Sequence, residues 1–300
     1  MAELSDSFVT FDGIINVRDL GGIKTADGSL VRKGLLLRGG SLAKASDRDL
    51  ERLEKEYKVA RIFDFRTDME IKYAPDRAVA GADNVWLPTI DPDTERLGKT
   101  NLPPHAYRDL INFLVENRSD ERVRYVAKNM YIELVENEYT QLQYAAFIQM
   151  IASAEADRAV FWHCSQGKDR TGMGAAYLLS LLGADRRAIV EDYALSNEYY
   201  RDDLQKLMEL LSGVGAGQED YDVLSTFVGA NVGVFEATLD FIDEKYGSLY
   251  NYCRDILMVS DDDINSLRAR LLFSERTFCR SEHFTSSQRA EAECSFRYKN

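Results

Sequence analysis

Cysteine is scarce in this chain. There are four in 300 residues, at 164, 253, 279 and 294. Thiols so few and so widely spaced exclude a disulfide-built scaffold. Histidine is scarcer still, at 105, 163 and 283, and no Cys-x-x-Cys pair accompanies it. No metal site and no cofactor is therefore expected. Basic residues are outnumbered, 37 Lys and Arg against 50 Asp and Glu, for a net charge of −13. An acidic surface repels phosphate backbones, which excludes bulk binding to nucleic acid. It also excludes a polybasic membrane anchor. The chain lacks any run of about 18 apolar residues, so no membrane span is expected. The opening MAELSDSF has neither a basic nor an apolar leader region. The expected location is cytoplasmic or secreted, with no signal peptide visible.

What is present suffices for a folded core: 45% hydrophobic residues with 29% charged. At roughly 150 residues per domain the length fits two domains, or one α/β domain with insertions. No internal repeat or low-complexity tract interrupts it. Leu35 to Leu37 is an apolar run ending in Arg38-Gly39-Gly40. Ser46 caps an expected helix through Tyr57. Val59 to Phe65 and Ala159 to His163 read as buried strands, and Asn84 to Pro88 as a short one. Thr67 and Glu70 have capping-box spacing. Val123, Val126, Met130 and Leu134 share one helical face, and Tyr144, Phe147, Ile148 and Ile151 another. Arg170 to Leu182 is apolar nearly all round, the mark of a central helix. Residues 185–222 are helical and acidic, with ten Asp and Glu against four Lys and Arg, and are broken by Gly213, Gly215 and Gly217. Residues 233–273 read as further helices, and 274–300 as a polar tail without a period.

The chemistry concentrates in His163-Cys164-Ser165-Gln166-Gly167-Lys168-Asp169-Arg170-Thr171-Gly172, where a buried strand gives way to a buried helix. Loop amides and a helix N-terminus favour an anion there. A thiol in that setting has a lowered pKa and reacts as thiolate. Five residues between Cys164 and Arg170 suffice to wrap a tetrahedral phosphate, the guanidinium holding two oxygens. Gly167 permits close backbone approach, Lys168 adds a cation, and the Thr171 hydroxyl can reach the sulfur or the departing phosphate. An inert buried thiol is the usual fate of a free cysteine, but it leaves the accompanying Gly, Lys, Asp, Arg and Thr unexplained.

This HCSQGKDRTG segment resembles the C-x5-R-[ST] loop of the protein tyrosine phosphatases. The chain is most similar to the atypical bacterial members that also hydrolyse phosphoinositides. Asn16-Val-Arg18-Asp19-Leu20-Gly21-Gly22, Arg38-Gly-Gly-Ser41-Leu42, Asp64-Phe-Arg66 with Glu70, and Glu244-Lys-Tyr-Gly-Ser248 look like further motifs of that family. The resemblance spans about residues 8 to 273. It implies the α/β cysteine-phosphatase fold, a central and mostly parallel sheet flanked by helices, with an extra helical insertion. It implies one catalytic domain over 1–273, followed by the tail 274–300. Residues 196–230 are open to two readings, a mobile lid or an ordinary helical subdomain.

The resemblance also implies roles. Cys164 attacks phosphorus and forms a phosphocysteine that water hydrolyses. Arg170 and the loop, Ser165 to Lys168, hold the phosphate oxygens. His163, Thr171, Asp64, Arg66, Arg18, Asp19 and Arg38 stand as auxiliary groups. The proton donor is open. Asp169 is favoured by the resemblance, with a salt bridge to Arg66 or Arg170 as its alternative; Asp64, Asp91 and Asp93 remain candidates, because no Trp-Pro-Asp tripeptide is present.

Lys168, with Arg18, Lys24, Arg32, Lys33 and Arg38, suggests countercharge for additional phosphates on an inositol ring. Expected substrates are phosphotyrosine, phosphoserine or phosphothreonine, and phosphoinositides. Two other classes compete: a non-catalytic phosphate-binding module and a rhodanese-type sulfurtransferase, which also places cysteine before a helix.

Overall fold

The computed structural model describes residues 8–93 and 109–273. The expected polar tail at 274–300 lies outside the described residues, as does His105. The strands are β1 (Arg18–Asp19), β2 (Leu30–Val31), β3 (Leu36–Gly39), β4 (Arg61–Asp64), β5 (Asp83–Trp86), β6 (Val160–His163) and β7 (Leu272–Phe273). Five of them form one sheet in the order β1-β3-β6-β4-β5. Only β1 runs antiparallel to its neighbour in that sheet. β2 and β7 pair antiparallel as a separate ribbon.

The three apolar runs of the sequence thus become the adjacent central strands. Both faces of these strands are buried, which is why they read as continuous apolar runs rather than as alternation. The period of two is still at work. Leu36, Phe63, Val160 and Trp162 face the larger core, whereas Leu37, Ile62 and Phe161 face a second one with Val17, Leu42 and Leu53.

The helices in order are α1 (Asp47–Glu51), α2 (Asp68–Tyr73), α3 (Leu110–Glu116), α4 (Glu121–Glu136), α5 (Glu138–Ala152), α6 (Asp169–Leu182), α7 (Arg186–Ala194), α8 (Ser196–Tyr199), α9 (Arg201–Gly213), α10 (Gln218–Val228), α11 (Val232–Tyr246), α12 (Leu249–Asn251) and α13 (Asp261–Leu271). The capping box expected of Thr67 and Glu70 forms, and the Ser46 cap is completed by Asp49 into a second box. The central helix is α6, and eleven of its fourteen residues are buried. The glycine-broken acidic segment ends α9 at Gly213 and restarts at Gln218. It packs on α3 and α4 around Leu207, Leu211, Leu224 and Phe227, a core separate from the two on the sheet.

The mostly parallel sheet with flanking helices is the architecture expected from the sequence. Its register decides where the chemistry can sit. Gly39 and Asp64 both pair with His163 at the carboxyl ends of three parallel strands. The chain leaves the sheet there, at Cys164, in the kind of crevice where open α/β sheets place ligands. No helix among the described residues is long and apolar enough to cross a membrane.

Candidate active site

Cys164 follows the last residue of β6 and is 3% exposed. Burial pushes its thiol up. The Arg170 charge and the neighbouring Thr171 outweigh burial, so the thiol sits below its ordinary value. The other described cysteine, Cys253, is buried without such help and is pushed well up. The two thiols therefore differ by environment, one held below and one pushed above the ordinary thiol value.

The loop from Ser165 to Lys168 is gripped by its carbonyls. Ser41 N–H donates to the Ser165 carbonyl at 3.4 Å. Tyr200 donates its hydroxyl to Gln166 at 2.7 Å, and Asn16 Nδ2 reaches Gln166 and Gly167 at 3.2 and 3.0 Å. Arg38 Nη2 donates to Gly167 and Lys168 at 2.9 and 3.2 Å. With the carbonyl edge committed to these partners, the amide edge is the one left to meet an anion. Gly167 has φ +71°, and a Cβ there would lie 2.3 Å from the Gly39 carbonyl carbon. Only glycine fits that approach.

Arg38 and Arg18 are both fully buried and share one carboxylate, Asp192. Arg18 also donates to Asn16 and Ser196. Burial brings the Arg38 guanidinium down to about 10 even with Asp192 beside it. Burial pushes Asp192 up, and the two arginines more than reverse it, leaving its carboxyl below the usual range. The triad Arg18–Asp192–Arg38 thus stands beneath the loop. Asp192 came from the acidic helical stretch, and nothing in the sequence marked it.

Arg170 is held by Glu70. Nη1 donates to Oε2 and Nη2 to Oε1, each at 2.7 Å. Glu70 also accepts from the Ser165 hydroxyl and from Thr67 N–H at 2.9 Å. Its buried carboxyl would be raised by burial, but Arg170 and these donors bring it to about 2. The capping box places Glu70 at a helix start, and its side chain also reaches across to Arg170.

Asp169 opens α6. Its Oδ1 accepts from the Tyr131 hydroxyl at 2.6 Å and from Tyr193 at 3.3 Å. The salt bridge expected as its alternative role runs to Lys168, 3.5 Å from Oδ2, not to Arg66 or Arg170. Lys168 itself is fully buried, and its Nζ donates to the carbonyls of Thr226 and Gly229, both at 2.7 Å. The structure thus turns the expected countercharge toward the end of α10. Lys24, Arg32 and Lys33 do not line the cleft over Cys164 either; Arg170 is its only cationic lining among the described residues.

Asp64, Arg66 and His163 form a second buried cluster with Asp76. Arg66 pairs with Asp64 at 2.7 Å and Asp76 at 2.6 Å, and His163 Nε2 lies 3.1 Å from Asp76. Burial pushes His163 down, and the two carboxylates raise it above its ordinary value. Among the described residues only Asp64, Asp76 and His163 lie close enough together to offer a metal ion three ligands. The Arg66 guanidinium already pairs with both carboxylates. Asp19 caps its own turn, accepting from Gly21 and Gly34 N–H at 2.8 and 2.6 Å.

Over Cys164 lies a cleft whose floor includes Ser165, Gln166, Asp169 and Arg170. Ile90, Leu110, Val126, Met130, Leu134 and Phe227 supply apolar wall. Asp91 lines the same cleft, held by Asn137 at 3.3 Å and by Asp93 N–H at 2.8 Å; Asp93 does not line it. A thiol of lowered pKa, a fixed guanidinium and a carboxyl group therefore converge on one space able to take a tetrahedral anion with an apolar substituent.

Comparison with known proteins bears on this arrangement. A model of the tyrosine phosphatase family matches residues 9–273. A Cupriavidus necator protein provisionally named a tyrosine-protein phosphatase is 30% identical over 267 residues, covering 88% of each chain. The triple specificity protein phosphatase PtpB of Mycobacterium tuberculosis is 28% identical over 282 residues, 87% of this chain and 97% of that one. A tyrosine-protein phosphatase of Nostoc commune is 35% identical over 136 residues, 44% of this chain and 45% of its own.

Proposed function

The chain belongs to the tyrosine phosphatase family, and from that premise we propose that it hydrolyses phosphomonoesters through a phosphocysteine on Cys164. The observation that carries this reading is the lowered thiol of Cys164 beside an Arg170 locked in place by Glu70. In the first step the sulfur bonds to phosphorus and the ester P–O bond breaks. Asp169 gives its proton to the leaving oxygen. In the second step water bonds to phosphorus, the S–P bond breaks, and Asp169 takes the proton of the water. Arg170 and the loop amides neutralise the phosphoryl oxygens throughout.

Phosphotyrosine is the substrate class the cleft fits best. Apolar walls suit an aryl ring, and Lys168 is committed to carbonyls away from the cleft. Residues 1–273 act as one catalytic domain. The 196–230 segment caps the cleft, as Thr226 and Phe227 line it and Lys168 ties its end to the loop. A panel of phosphotyrosine peptide, phosphoserine peptide and phosphoinositides tests the assignment, with Cys164→Ser as control. Turnover of the phosphotyrosine peptide that the variant loses is the expected result. Full turnover by Cys164→Ser contradicts the nucleophile, and preference for a phosphoinositide contradicts the substrate class. Thiocyanate formed from thiosulfate would place the chain with sulfurtransferases instead.

A further inference from the structure

The mechanism leaves a buried pair of hydroxyls beside Asp169 without a task. Tyr131 on α4 and Tyr193 on α7 are each about 1% exposed, and their hydroxyls touch each other. Both meet the same oxygen of Asp169, Oδ1, while Lys168 stands at Oδ2. The Tyr131 contact, at 2.6 Å, has the length of a phenol donating to a carboxylate. Burial raises both phenols well above their ordinary value, so they keep their protons and serve as donors.

The rings cannot swing away. Tyr193 stacks on Phe235 of α11 with centroids 4.1 Å apart at 10°, and Tyr131 meets Phe235 edge-on at 6.3 Å. Gly172 allows α7 this close: a Cβ there would lie 3.0 Å from the Tyr193 ring. A buried pair of hydroxyls fixed by ring packing and aimed at one carboxylate oxygen is an arrangement that burial alone would not favour.

We propose that Tyr131, backed by Tyr193, is a positioning residue that holds Asp169 for proton transfer and stabilises the carboxylate left when Asp169 has given its proton away. This rests on the proposed role of Asp169 as proton donor. The proton moves from Asp169 to the leaving oxygen in the first step and returns from water in the second; the phenol protons stay on the tyrosines. Hydrogen bonds that strengthen as the carboxylate forms assist the transition state more than the ground state. The benefit is largest for poor leaving groups, which need the proton most.

The test compares p-nitrophenyl phosphate with phenyl phosphate, a good and a poor leaving group. Wild type, Tyr131→Phe, Tyr193→Phe, Asp169→Asn and the Tyr131→Phe/Asp169→Asn double variant are measured. Phe keeps the ring packing, and thermal melting verifies the fold of each. Tyr131→Phe should slow phenyl phosphate roughly ten- to a hundredfold more than p-nitrophenyl phosphate, the scale of one hydrogen bond to a charged group. Tyr193→Phe should do the same to a smaller degree. In the Asp169→Asn background the Tyr131→Phe effect should vanish. An equal loss on both substrates, or the same selective loss without Asp169, overturns the inference. If Asp169→Asn itself shows no leaving-group dependence, the inference falls while the role of Cys164 stands, since that rests on the separate Cys164→Ser result.

Discussion

Arg170 donates two hydrogen bonds of 2.7 Å to Glu70, one from each terminal guanidinium nitrogen, across 100 residues of chain. The pairing fixes the plane of the guanidinium before any ligand arrives, which is preorganisation of the kind that electrostatic catalysis requires. Glu70→Gln should therefore lower kcat about a hundredfold, the scale of a misplaced positioning group. It should also change the response to acid. The Glu70 carboxyl lies at about 2 in the folded protein against an ordinary 4.5. A depressed carboxyl contributes stability that is fully present above the ordinary value and is lost as pH falls toward 2. The acid unfolding curve of Glu70→Gln should be shallower in that window, where Asp192 and Asp76 still contribute; an unchanged curve contradicts the pairing.

Arg170 also sets the thiol. Burial and Asp169 both push Cys164 up, and Arg170 is the main opposing charge. Arg170→Met should move the pH dependence of Cys164 alkylation by iodoacetamide to higher pH, followed on the Cys164 peptide by mass spectrometry. A curve that stays in place would put the source of the low thiol elsewhere.

Lys168 ties the loop to the end of α10 through the Thr226 and Gly229 carbonyls. Lys168→Met should lower the melting temperature, because hydrogen bonds to a charged group contribute about 1.5–3 kcal/mol. It should leave the ratio of bisphosphorylated to monophosphorylated substrate turnover unchanged. A selective loss on the bisphosphorylated substrate would return the amine to the substrate, as the sequence suggested.

Asp192→Ala leaves Arg18 and Arg38 buried without their shared counter-charge. Removing one partner of a buried ion pair costs about 3–5 kcal/mol. Urea unfolding should report a loss of that order, and a loss under about 1 kcal/mol would mark the triad as incidental to the fold.

The contrast between Cys164 and Asp192 explains how much could be read from the chain. The loop from His163 to Gly172 is contiguous, so its residues sit together in sequence as they do in space. Its flanking strand and helix were legible from apolar runs buried on both faces. Asp192, Tyr193, Tyr131 and Glu70 reach the same site from α7, α4 and α2, and tertiary packing alone brings them there. Lys168 shows the reverse limit. Its position in the loop was plain, but its direction is set by carbonyls 58 and 61 residues away. Glu70 was legible as a cap, and a cap does not announce a second partner.

We predict that Cys164 carries the phosphoryl group during turnover. Rapid acid quench of the enzyme with p-nitrophenyl phosphate, followed by mass spectrometry of the Cys164 peptide, tests it directly. The expected result is a phosphoryl group on Cys164 during turnover, absent in Cys164→Ser. Turnover with Cys164 unmodified at every quench time, or with the phosphoryl group on another residue, would contradict it.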